Sequence, residues 1–529
     1  MKRLIAVVIC VFMLLGLLTG CGGANDQANG GQGGGNQSSG GQSGGGQSGN
    51  SGGGAGSSNA AKRDDLVIIL PNDFTTLDPQ MLPASMDINF CANIFDTLVT
   101  IDENMQIVPC LAYKWEVSND GLTYTFYLEE GVKFHNDEEL KASDVVFTVD
   151  RFVSEEWMMF ASFMIEDAVA VSDYVVDIHL KYPYGAFLGM LNYMFVVNEK
   201  QVKEVGDGLA QNPVGTGAYK FVRWDVAQQI VLEAHEDYFQ GAPPIKNLIF
   251  KIIPDSNTAY VTMETGGADF IFQGISAVDY EQAKTNANLA TDEIDGNYFY
   301  AANFNMERIG RDVRRALSHA VDRESVNILV NEGSGIVTDI GLIEGQEGYT
   351  TDLVTYEYNP DLARRLLAEA GAANLEIDFF YGENVDNNKL AQALQSMFNE
   401  VGVSLRLKPV ETGTWWQIFG DGDYDMSRGG YPMEDANTDS AYYDMFHKDG
   451  TFNISRINDD RINKLLDQAR VELDGNERHK LYVQVNQILA EEAYFIPLYF
   501  NLSTIIYNPA LKNVEALRSK RYLFNQFSW

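Results

Sequence analysis

Several short stretches of this chain have the residue types of a cofactor or metal site, and each lacks a part that the chemistry needs. Gly215-Thr216-Gly217 begins like a dinucleotide-binding loop, but Lys220 occupies the position of the third glycine. Residues 421–425 begin like a calcium loop. Its sixth position, which needs glycine for a sharp turn, is Met426, and its twelfth, which needs a chelating glutamate, is Pro432. We therefore expect neither a nucleotide cofactor nor bound calcium.

The histidines and serines form no catalytic pattern either. The six histidines lack the paired spacing of zinc ligands: His135, His179, His235, His319, His447 and His479. Ser334 lies between two glycines, but Glu332 precedes them and no Gly-x-Ser-x-Gly nucleophile elbow forms. The sequence therefore predicts no metal site, no cofactor and no enzyme activity.

The composition excludes some partners. The 529 residues include 38 basic and 74 acidic side chains, a formal net charge of −36. Nucleic acids and anionic membrane surfaces would repel such a chain at long range, so we expect neither as a direct partner. We interpret the acidity as a means of keeping a secreted protein soluble. The alternative is a field that attracts cationic solutes such as peptide amines.

The N-terminus predicts export and a lipid anchor. Two basic residues precede an apolar run over residues 4–18, which is short for a membrane span and typical of a secretory signal. The next residues, Leu18-Thr19-Gly20-Cys21, resemble the bacterial lipobox, whose cysteine receives a diacylglycerol group. We expect a signal peptide over residues 1–20 and lipidation at Cys21; the alternative is an uncleaved signal anchor.

Residues 21–63 are expected to be a lipidated cysteine followed by a flexible linker. From Gly22 to Ala61 the chain is almost wholly Gly, Ser, Gln, Asn and Ala, with no large apolar residue to bury. About forty such residues have a root-mean-square reach of about 35 Å. The body is therefore expected to lie just outside a membrane, on the extracellular face of a cell with a single membrane or, failing that, in a periplasm.

Two cysteines lie in the body, Cys91 and Cys110. Two thiols in so long a chain are no disulfide framework. We expect two buried free thiols, with a single bridge between them as the alternative.

The body is too long for one hydrophobic core, so at least two lobes are expected. A continuous apolar run over residues 66–70 predicts a buried strand, and alternation over residues 122–128 predicts a half-buried one. The apolar period then changes to that of a helix beginning at Ser143 or Asp144 as cap.

The second half has a helix, helix, strand order that is typical of an α/β lobe. A stripe of apolar residues over 313–321 predicts a helix with Arg314 and Arg315 facing outward. Asn359-Pro360 begins a helix that ends at Gly371, and a stripe over 390–401 predicts another, followed by a strand at 403–407.

Four consecutive motifs lie at residues 108–115 (VPCLAYKW), 119–128 (NDGLTYTFYL), 131–135 (GVKFH) and 141–147 (KASDVVF). Their order and spacing resemble the signature of the family 5 extracellular solute-binding proteins, which serve ABC importers of oligopeptides, dipeptides and nickel. Further matches lie at residues 76–79, 213–219, 312–317 and 496–499. Two departures occur. The usual Phe-x-Asp-Gly turn is present as Asn136-Asp137-Glu138, and Ala218 replaces a proline.

The resemblance implies an α/β fold of two hinged lobes, the class II periplasmic-binding-protein type, with a subdomain inserted in the first lobe. Mapped onto this chain, lobe I comprises residues 64–106, 214–302 and 498–529. The inserted subdomain is 107–213 and lobe II is 303–497. A monomer is expected, whose lobes close on a peptide and deliver it to ABC permease subunits.

The same comparison implies a ligand site at residues 429–435 (GGYPMED). In peptide binders this segment presents an aromatic residue and then an aspartate that pairs with the α-ammonium of the peptide. Here Tyr431 and Glu434 take those places, while the backbones of Gly430 and Pro432 are candidates to pair with the peptide main chain. The alternative is that Glu434 belongs to a solvated loop.

Weaker candidates follow from the same resemblance. Ser85 and Met86 are expected on one wall of the cleft, and Phe160 or Phe163 over the ligand; the phenylalanines have core positions as their alternative. Trp415 and Trp416 are adjacent and point to different sides, so at most one lines the cleft, and we favour Trp416.

Other ligands fit the same fold. An oligosaccharide would favour aromatic platforms, and a nickel chelate would need a cleft histidine such as His135 or His447. A lipoprotein sensor without a transport role is the alternative outside transport.

Overall fold

The computed structural model describes residues 63–529 except 82–84, 103–105, 155–163, 434–437 and 518–520. The strands within these residues are β1 Asp65–Leu70, β2 Val99–Ile101, β3 Ile107–Pro109, β4 Ala112–Val117, β5 Thr123–Leu128, β6 Ile165–Ser172, β7 Val175–Leu180, β8 Tyr219–Asp225, β9 Gln229–Ala234, β10 Asn247–Ile252, β11 Phe270–Ile271, β12 Ala290–Phe304, β13 Ile336–Val337, β14 Glu376–Gly382, β15 Ser404–Val410, β16 Met426–Pro432 and β17 Phe495–Tyr507.

The helices are α1 Ser85–Cys91, α2 Ala142–Ser154, α3 Phe187–Met190, α4 Glu199–Val205, α5 Ser256–Glu264, α6 Ala277–Thr285, α7 Arg311–Ser318, α8 Arg323–Asn331, α9 Pro360–Glu369, α10 Val385–Glu400, α11 Thr412–Asp421, α12 Thr438–Phe446, α13 Asp460–Val471 and α14 Gly475–Glu492. No helix in the described part of the chain is both long enough and apolar enough to cross a membrane. The signal, Cys21 and the linker lie outside the described residues.

The elements predicted from apolar periodicity are confirmed. The strand predicted at 66–70 is β1, and its side chains Leu66, Ile68, Ile69 and Leu70 are buried. Strand β5 alternates between half-buried and buried residues, as its period requires. Helix α9 begins with Asn359 as its cap, whose side chain accepts a hydrogen bond from the N–H of Leu362, and Gly371 follows its end at φ +71°.

Two details of the sequence prediction were wrong. Arg314 does not face outward: it is 5% exposed, and its guanidinium donates to the backbone carbonyls of Ile309, Glu492 and Ala493. Helix α2 begins at Ala142, one residue before the predicted cap. Asp144 instead lies in the first turn and accepts a hydrogen bond from the N–H of Lys141.

One mixed sheet runs through most of the body. Its eleven strands follow the order β15-β14-β16-β12-β17-β11-β1-β10-β9-β8, with β13 beside β17. The two long strands at its middle, β12 and β17, pair antiparallel over nearly their whole length. Their register breaks between Asp295 and Phe299, where the sheet passes from one half of the molecule to the other. A second sheet, β4-β5-β7-β6, stands apart from it.

The buried apolar residues form separate cores on either side of this break. A first-lobe core joins chain segments from Leu66 to Phe95, Phe195 to Phe272 and Ile505 to Phe527. An inserted-subdomain core lies between Leu98 and Val196. Two second-lobe cores, one on each face of the sheet, lie between Phe299 and Phe500. We name each core after the predicted part that contributes most of its residues; the boundaries given above stay predictions.

A buried carboxylate connects the first lobe to the inserted subdomain. Asp96 accepts hydrogen bonds from the hydroxyls of Thr216 (2.8 Å) and Tyr238 (3.1 Å) and lies 3.8 Å from the sulfur of Cys110. No lysine or arginine of the described residues pairs with it. Burial raises the pKa of Asp96 to about 6, against the lowering effect of these hydrogen bonds. Cys91 and Cys110 are buried free thiols, which confirms the prediction.

The raised pKa of Asp96 predicts a pH-dependent stability. The folded protein holds the Asp96 proton up to about pH 6, whereas the unfolded chain loses it near pH 4. The contribution is therefore favourable at low pH and is lost as pH rises through 6. The free energy of unfolding of Asp96→Asn, relative to the parent, should rise by about 3 kcal/mol between pH 4 and 7. Urea unfolding at four pH values measures this, with the exposed Asp64→Asn as control, and a pH-independent difference would contradict it.

Candidate ligand-binding site

Three second-lobe strands, β14, β15 and β16, end at one edge of the sheet. β14 pairs parallel with both β15 and β16, so their carboxyl ends share one edge of the sheet. Helix α10 begins three residues after β14, and helix α11 begins two residues after β15. In open α/β sheets, ligands bind outside the carboxyl ends of the strands, at the point where neighbouring connections diverge. The last residues of β16 lie at this point.

Strand β16 has one free edge there. On one side it pairs with β12 from Phe304↔Met426 to Tyr298↔Pro432. On the other side its ladder with β14 stops after Phe380↔Ser427. From Arg428 to Pro432, no strand of the described chain covers that second edge. An exposed strand edge of this kind can accept the main chain of an extended ligand.

Arg428 lies at the start of the free edge, over a group of tyrosines from the two long strands. Its guanidinium carbon is 4.7 Å from the ring centre of Tyr300 and 5.4 Å from that of Tyr298. Its Nη1 donates to the hydroxyl of Tyr298 (3.2 Å). Tyr499 stacks on Tyr300 with ring centres 4.8 Å apart. We call these four residues the arginine–tyrosine cluster.

The charge of Arg428 has no counter-charge within ion-pair distance among the described residues, although the carboxylate of Asp386 is near enough to act on Tyr300 and Tyr499. Arg428 forms no ion pair with any described residue, and its Nε is buried without a hydrogen-bond partner there. The amide nitrogen of Asn297, on β12, is buried without a described partner too. Burial raises the pKa of Tyr300, while the charge of Arg428 opposes the rise, so this phenol stays neutral at neutral pH. The site is therefore cationic and supplies N–H and O–H donors to an anion.

The two glycines before Tyr431 allow β16 to lie close to β12. Gly430 has φ +146°, and a Cβ atom there would lie 2.3 Å from the carbonyl oxygen of Phe299. A Cβ at Gly429 would lie 2.4 Å from the amide of Asn303. Gly430 therefore has a structural role that the sequence did not reveal, in addition to its place on the free edge.

Tyr431 points away from the cluster. It is 7% exposed and packs in a second-lobe core, 5.2 Å from the ring of Phe299 and 6.0 Å from that of Phe446. Side chains alternate along a strand, so Tyr431 and Arg428 occupy opposite faces of the sheet. The structure thus places the Tyr431 side chain behind the strand, in a second-lobe core and away from the arginine–tyrosine cluster.

The other predicted site residues are placed only in part. Pro432 ends β16, and its carbonyl is the group that it can offer, since it lacks an N–H. Ser85 and Met86 begin α1, and Trp416 lies on α11, as backbone positions whose side chains are outside the description. Glu434, Phe160 and Phe163 lie outside the described residues.

The arginine–tyrosine cluster was not predicted from the sequence. Two signals pointed to it: an arginine between Met426-Ser427 and two glycines in an otherwise buried strand, and tyrosines at alternate positions 298 and 300. Neither signal shows that Tyr499, some two hundred residues later, completes the group.

The two histidines suggested for a nickel chelate already have partners. His135 Nε2 lies 2.9 Å from the carbonyl oxygen of Gly217, and its Nδ1 accepts from the N–H of Gly215 (3.3 Å). Burial lowers the pKa of His135 to about 3, so it is neutral. His447 stacks on Tyr443 with ring centres 4.1 Å apart, and its Nδ1 accepts from the N–H of Asp449 (3.1 Å), while its buried Nε2 has no hydrogen-bond partner among the described residues. The described residues contain no group of three or more histidine, cysteine or acidic side chains arranged to hold a metal ion.

The comparisons with known proteins agree with this architecture. The model of bacterial extracellular solute-binding proteins, family 5 (middle), matches residues 106–453, more than half of the chain. The chain belongs to this family. Heme-binding protein A of Haemophilus influenzae is 28% identical over 461 residues, covering 79% of this chain and 84% of that protein. Oligopeptide-binding protein AppA of Bacillus subtilis is 28% identical over 473 residues, covering 82% and 86%.

The solved structures confirm the fold class expected from the resemblance. HbpA2 of Haemophilus parasuis superimposes with a TM-score of 0.81 at 25% identity, over 88% of this chain and 99% of that one. The body is thus the α/β binding-protein fold of family 5. The relatives are solute-binding proteins, not enzymes. The family signature supplies scaffold here, since Phe126 and Phe134 are fully buried and Gly121 makes a turn at φ +68°.

The close approach of β16 to β12 predicts that Gly430→Ala is strongly destabilising. The new methyl group would meet the Phe299 carbonyl in a backbone conformation that alanine avoids, at a cost of about 3 kcal/mol or more. Gly420→Ala is the control, because a Cβ there meets nothing within 4 Å and φ is ordinary. Thermal unfolding compares the two. Equal melting temperatures would show that the strands are not this close.

Proposed function

We propose that this family 5 solute-binding protein captures short peptides through a free carboxylate held by Arg428, and delivers them to an ABC permease. The observation that carries the proposal is a largely buried guanidinium with no described counter-ion, at the open end of a strand edge. The chain has 74 acidic side chains against 38 basic ones, yet none of the described carboxylates pairs with Arg428.

A buried charge without a partner is costly, and a ligand carboxylate would offset that cost. Leaving one member of a buried ion pair alone destabilises a protein by about 3–5 kcal/mol. A carboxylate on Arg428 would accept charge-assisted hydrogen bonds from its guanidinium, whose Nε has no partner among the described residues. The binding free energy then comes from a charge that no described residue of the empty protein pairs with.

The free edge of β16 offers the rest of a peptide site. An extended peptide would pair with the backbone between Arg428 and Pro432, as a strand added to the sheet. Glu434 is proposed to hold the α-ammonium, six positions from Arg428, a span of at most about 20 Å in extended chain. Ser85, Met86, Phe160, Phe163 and Trp416 remain proposed walls of the cleft.

A porphyrin or sugar is less well matched to this site. Each needs an open aromatic face, and Tyr300 is already contacted by both Arg428 and Tyr499. The name of the Haemophilus influenzae relative makes heme the ligand to test against peptides. Its propionates are carboxylates as well, so the test has to separate the two.

The proposal includes an anchor. A diacylglycerol on Cys21 would hold the body at the outer face of the membrane through the linker of residues 22–63. Cys21→Ala should move the protein from the membrane fraction to the medium or periplasm, as measured by immunoblot. Cys10→Ala is the matched control and should stay with the membrane. Membrane retention of both variants would favour an uncleaved signal anchor.

Arg428→Met tests the carboxylate anchor. Methionine fills the space without a charge, so the empty protein should become as stable as the parent or more so. At the same time, the affinity for Ala-Ala-Ala should fall about 30- to 100-fold, since a hydrogen bond to a charged group contributes about 2–3 kcal/mol. Calorimetry against Ala-Ala-Ala, its C-terminal amide and hemin measures this. The amide should bind the parent weakly and lose little on substitution.

The control is Arg406→Met. Arg406 is a surface residue of β15, and it pairs with Glu376 and Asp378 of β14. This substitution should change neither peptide affinity nor the preference for the free acid. Equal binding of acid and amide by the parent would overturn the role of Arg428. Tight binding of hemin with no peptide binding would replace the substrate.

A further inference from the structure

The inserted subdomain touches the second lobe along a seam far in sequence from the strands that connect the lobes. The ring of Tyr184 belongs to the inserted-subdomain core. Its hydroxyl donates to Oδ2 of Asp439, in the first turn of α12, at 2.8 Å. Both side chains are almost fully buried, at 1% exposed each. A polar contact between two separate cores is therefore closed to water.

Residues of the second lobe already hold the Asp439 carboxylate in position for this contact. Arg470 donates to Oδ2 of Asp439 from Nε (3.0 Å) and Nη2 (2.8 Å). The hydroxyl of Tyr482 lies 3.4 Å from Oδ1. Since these partners all come from the second lobe, the carboxylate keeps its counter-charge when the seam opens. Tyr184 adds a donor from across the seam without creating an unpaired charge.

The backbone of Gly185 is held by the second lobe on both sides of the residue. Its N–H donates to the carbonyl oxygen of Arg470 (2.9 Å). Its own carbonyl accepts from Nη1 of Arg478 (3.0 Å), whose Nε is fixed by Glu347 (2.9 Å). Because these hydrogen bonds involve main-chain atoms, the inserted subdomain and the second lobe can form them in only one relative alignment.

Gly185 has to be a glycine because the second lobe leaves no room for a side chain, and its backbone conformation does not itself require glycine. Its φ lies in the range open to any residue, yet a Cβ atom would lie 2.1 Å from the carbonyl oxygen of Glu472 and 2.4 Å from Nη1 of Arg478. Gly121 also faces the second lobe, since a Cβ there would lie 2.7 Å from the Leu473 side chain, but its positive φ of +68° favours glycine in any case. The atoms that exclude a side chain at Gly185 belong to the other lobe.

We propose that Tyr184 and Gly185 form a latch that docks on Asp439, Arg470 and Arg478 and holds the two lobes closed over the ligand. The inference rests on the proposed function as a closing trap, and it assigns the closed state a contact of its own, separate from the ligand. Thr438, next to Asp439 at the start of α12, donates from its hydroxyl to the carbonyl of Glu347 (2.8 Å), the residue whose carboxylate also fixes Arg478.

The latch makes closure reversible. The hydrogen bonds described above are two with the main chain of Gly185 and one from the neutral hydroxyl of Tyr184, and water can replace each of them on opening. The chain can therefore close tightly and still be reopened by a permease. A covalent link or a buried ion pair across the seam would resist reopening far more.

Gly185→Ala tests the latch by steric exclusion. The full chain would carry spin labels at two exposed positions, Val171→Cys on the inserted subdomain and Ile328→Cys on the second lobe. Double electron–electron resonance would give their distance distribution with and without Ala-Ala-Ala. We expect Gly185→Ala to populate longer distances than the parent in both conditions, and to release the peptide about tenfold faster or more. Gly310→Ala is the matched control, since a Cβ there meets nothing within 4 Å.

Tyr184→Phe provides a second variant that keeps the ring in its core. It should preserve the melting temperature of the empty protein and speed peptide release several-fold, as loss of one hydrogen bond predicts. Parent-like distances in Gly185→Ala, with peptide binding that still depends on Arg428, would overturn the latch and leave the proposed function intact. Longer distances in Gly185→Ala without any peptide binding would support the latch and overturn the proposed ligand.

Discussion

The antiparallel pairing of the two long strands, Ala290–Phe304 and Phe495–Tyr507, is the contact on which the rest of the structure depends. It joins both lobes into one sheet, and its register breaks between Asp295 and Phe299, where the sheet changes from one lobe to the other. A pair of strands with a local irregularity can bend without losing its hydrogen bonds elsewhere. The same pairing brings Tyr300 and Tyr499 together and gives Arg428 a surface on which to lie.

The site and the latch divide two tasks that a solute trap must perform. Affinity for a ligand requires a group that the empty protein leaves unsatisfied, and Arg428 is such a group among the described residues. Closure requires surfaces that fit only when the lobes meet, and Gly185 with Tyr184 provides them. Ligands stabilise the closed state only in so far as they bind it better than the open one. Hydrogen bonds across the seam stabilise the closed state themselves, so the ligand has to contribute less free energy to closure.

The acidity of the chain gives this arrangement a consequence for selectivity. A protein with a net charge of −36 repels anions at long range, so an anionic solute gains little from steering. Recognition must then come from short-range contacts at Arg428. A peptide without charged side chains carries an ammonium as well as a carboxylate, so it has no net charge to be repelled, and this favours it over simple anions.

Local patterns in the sequence predicted local structure well. The strand at residues 65–70, the helix begun by Asn359-Pro360 and the buried cysteines depend on neighbours in the chain or on composition, and all were predicted. Arg314 was predicted on the wrong face because its three carbonyl partners include two from residues 492 and 493, which no helical period reveals.

The family signature identified the fold, since its motifs are scaffold, but it could not place the site fully. Tyr431 matched an aromatic position by resemblance, while strand alternation turned it into the core. The arginine–tyrosine cluster and the latch both join residues far apart in sequence, and only the packed chain brings them together.

Native mass spectrometry of the freshly purified chain, followed by release and identification of what it carries, tests the central claim most directly. The account predicts a series of short peptides with free carboxyl ends, retained by the parent and lost from a variant without the Arg428 charge. A homogeneous ligand without a carboxylate, retained equally by both proteins, would contradict it.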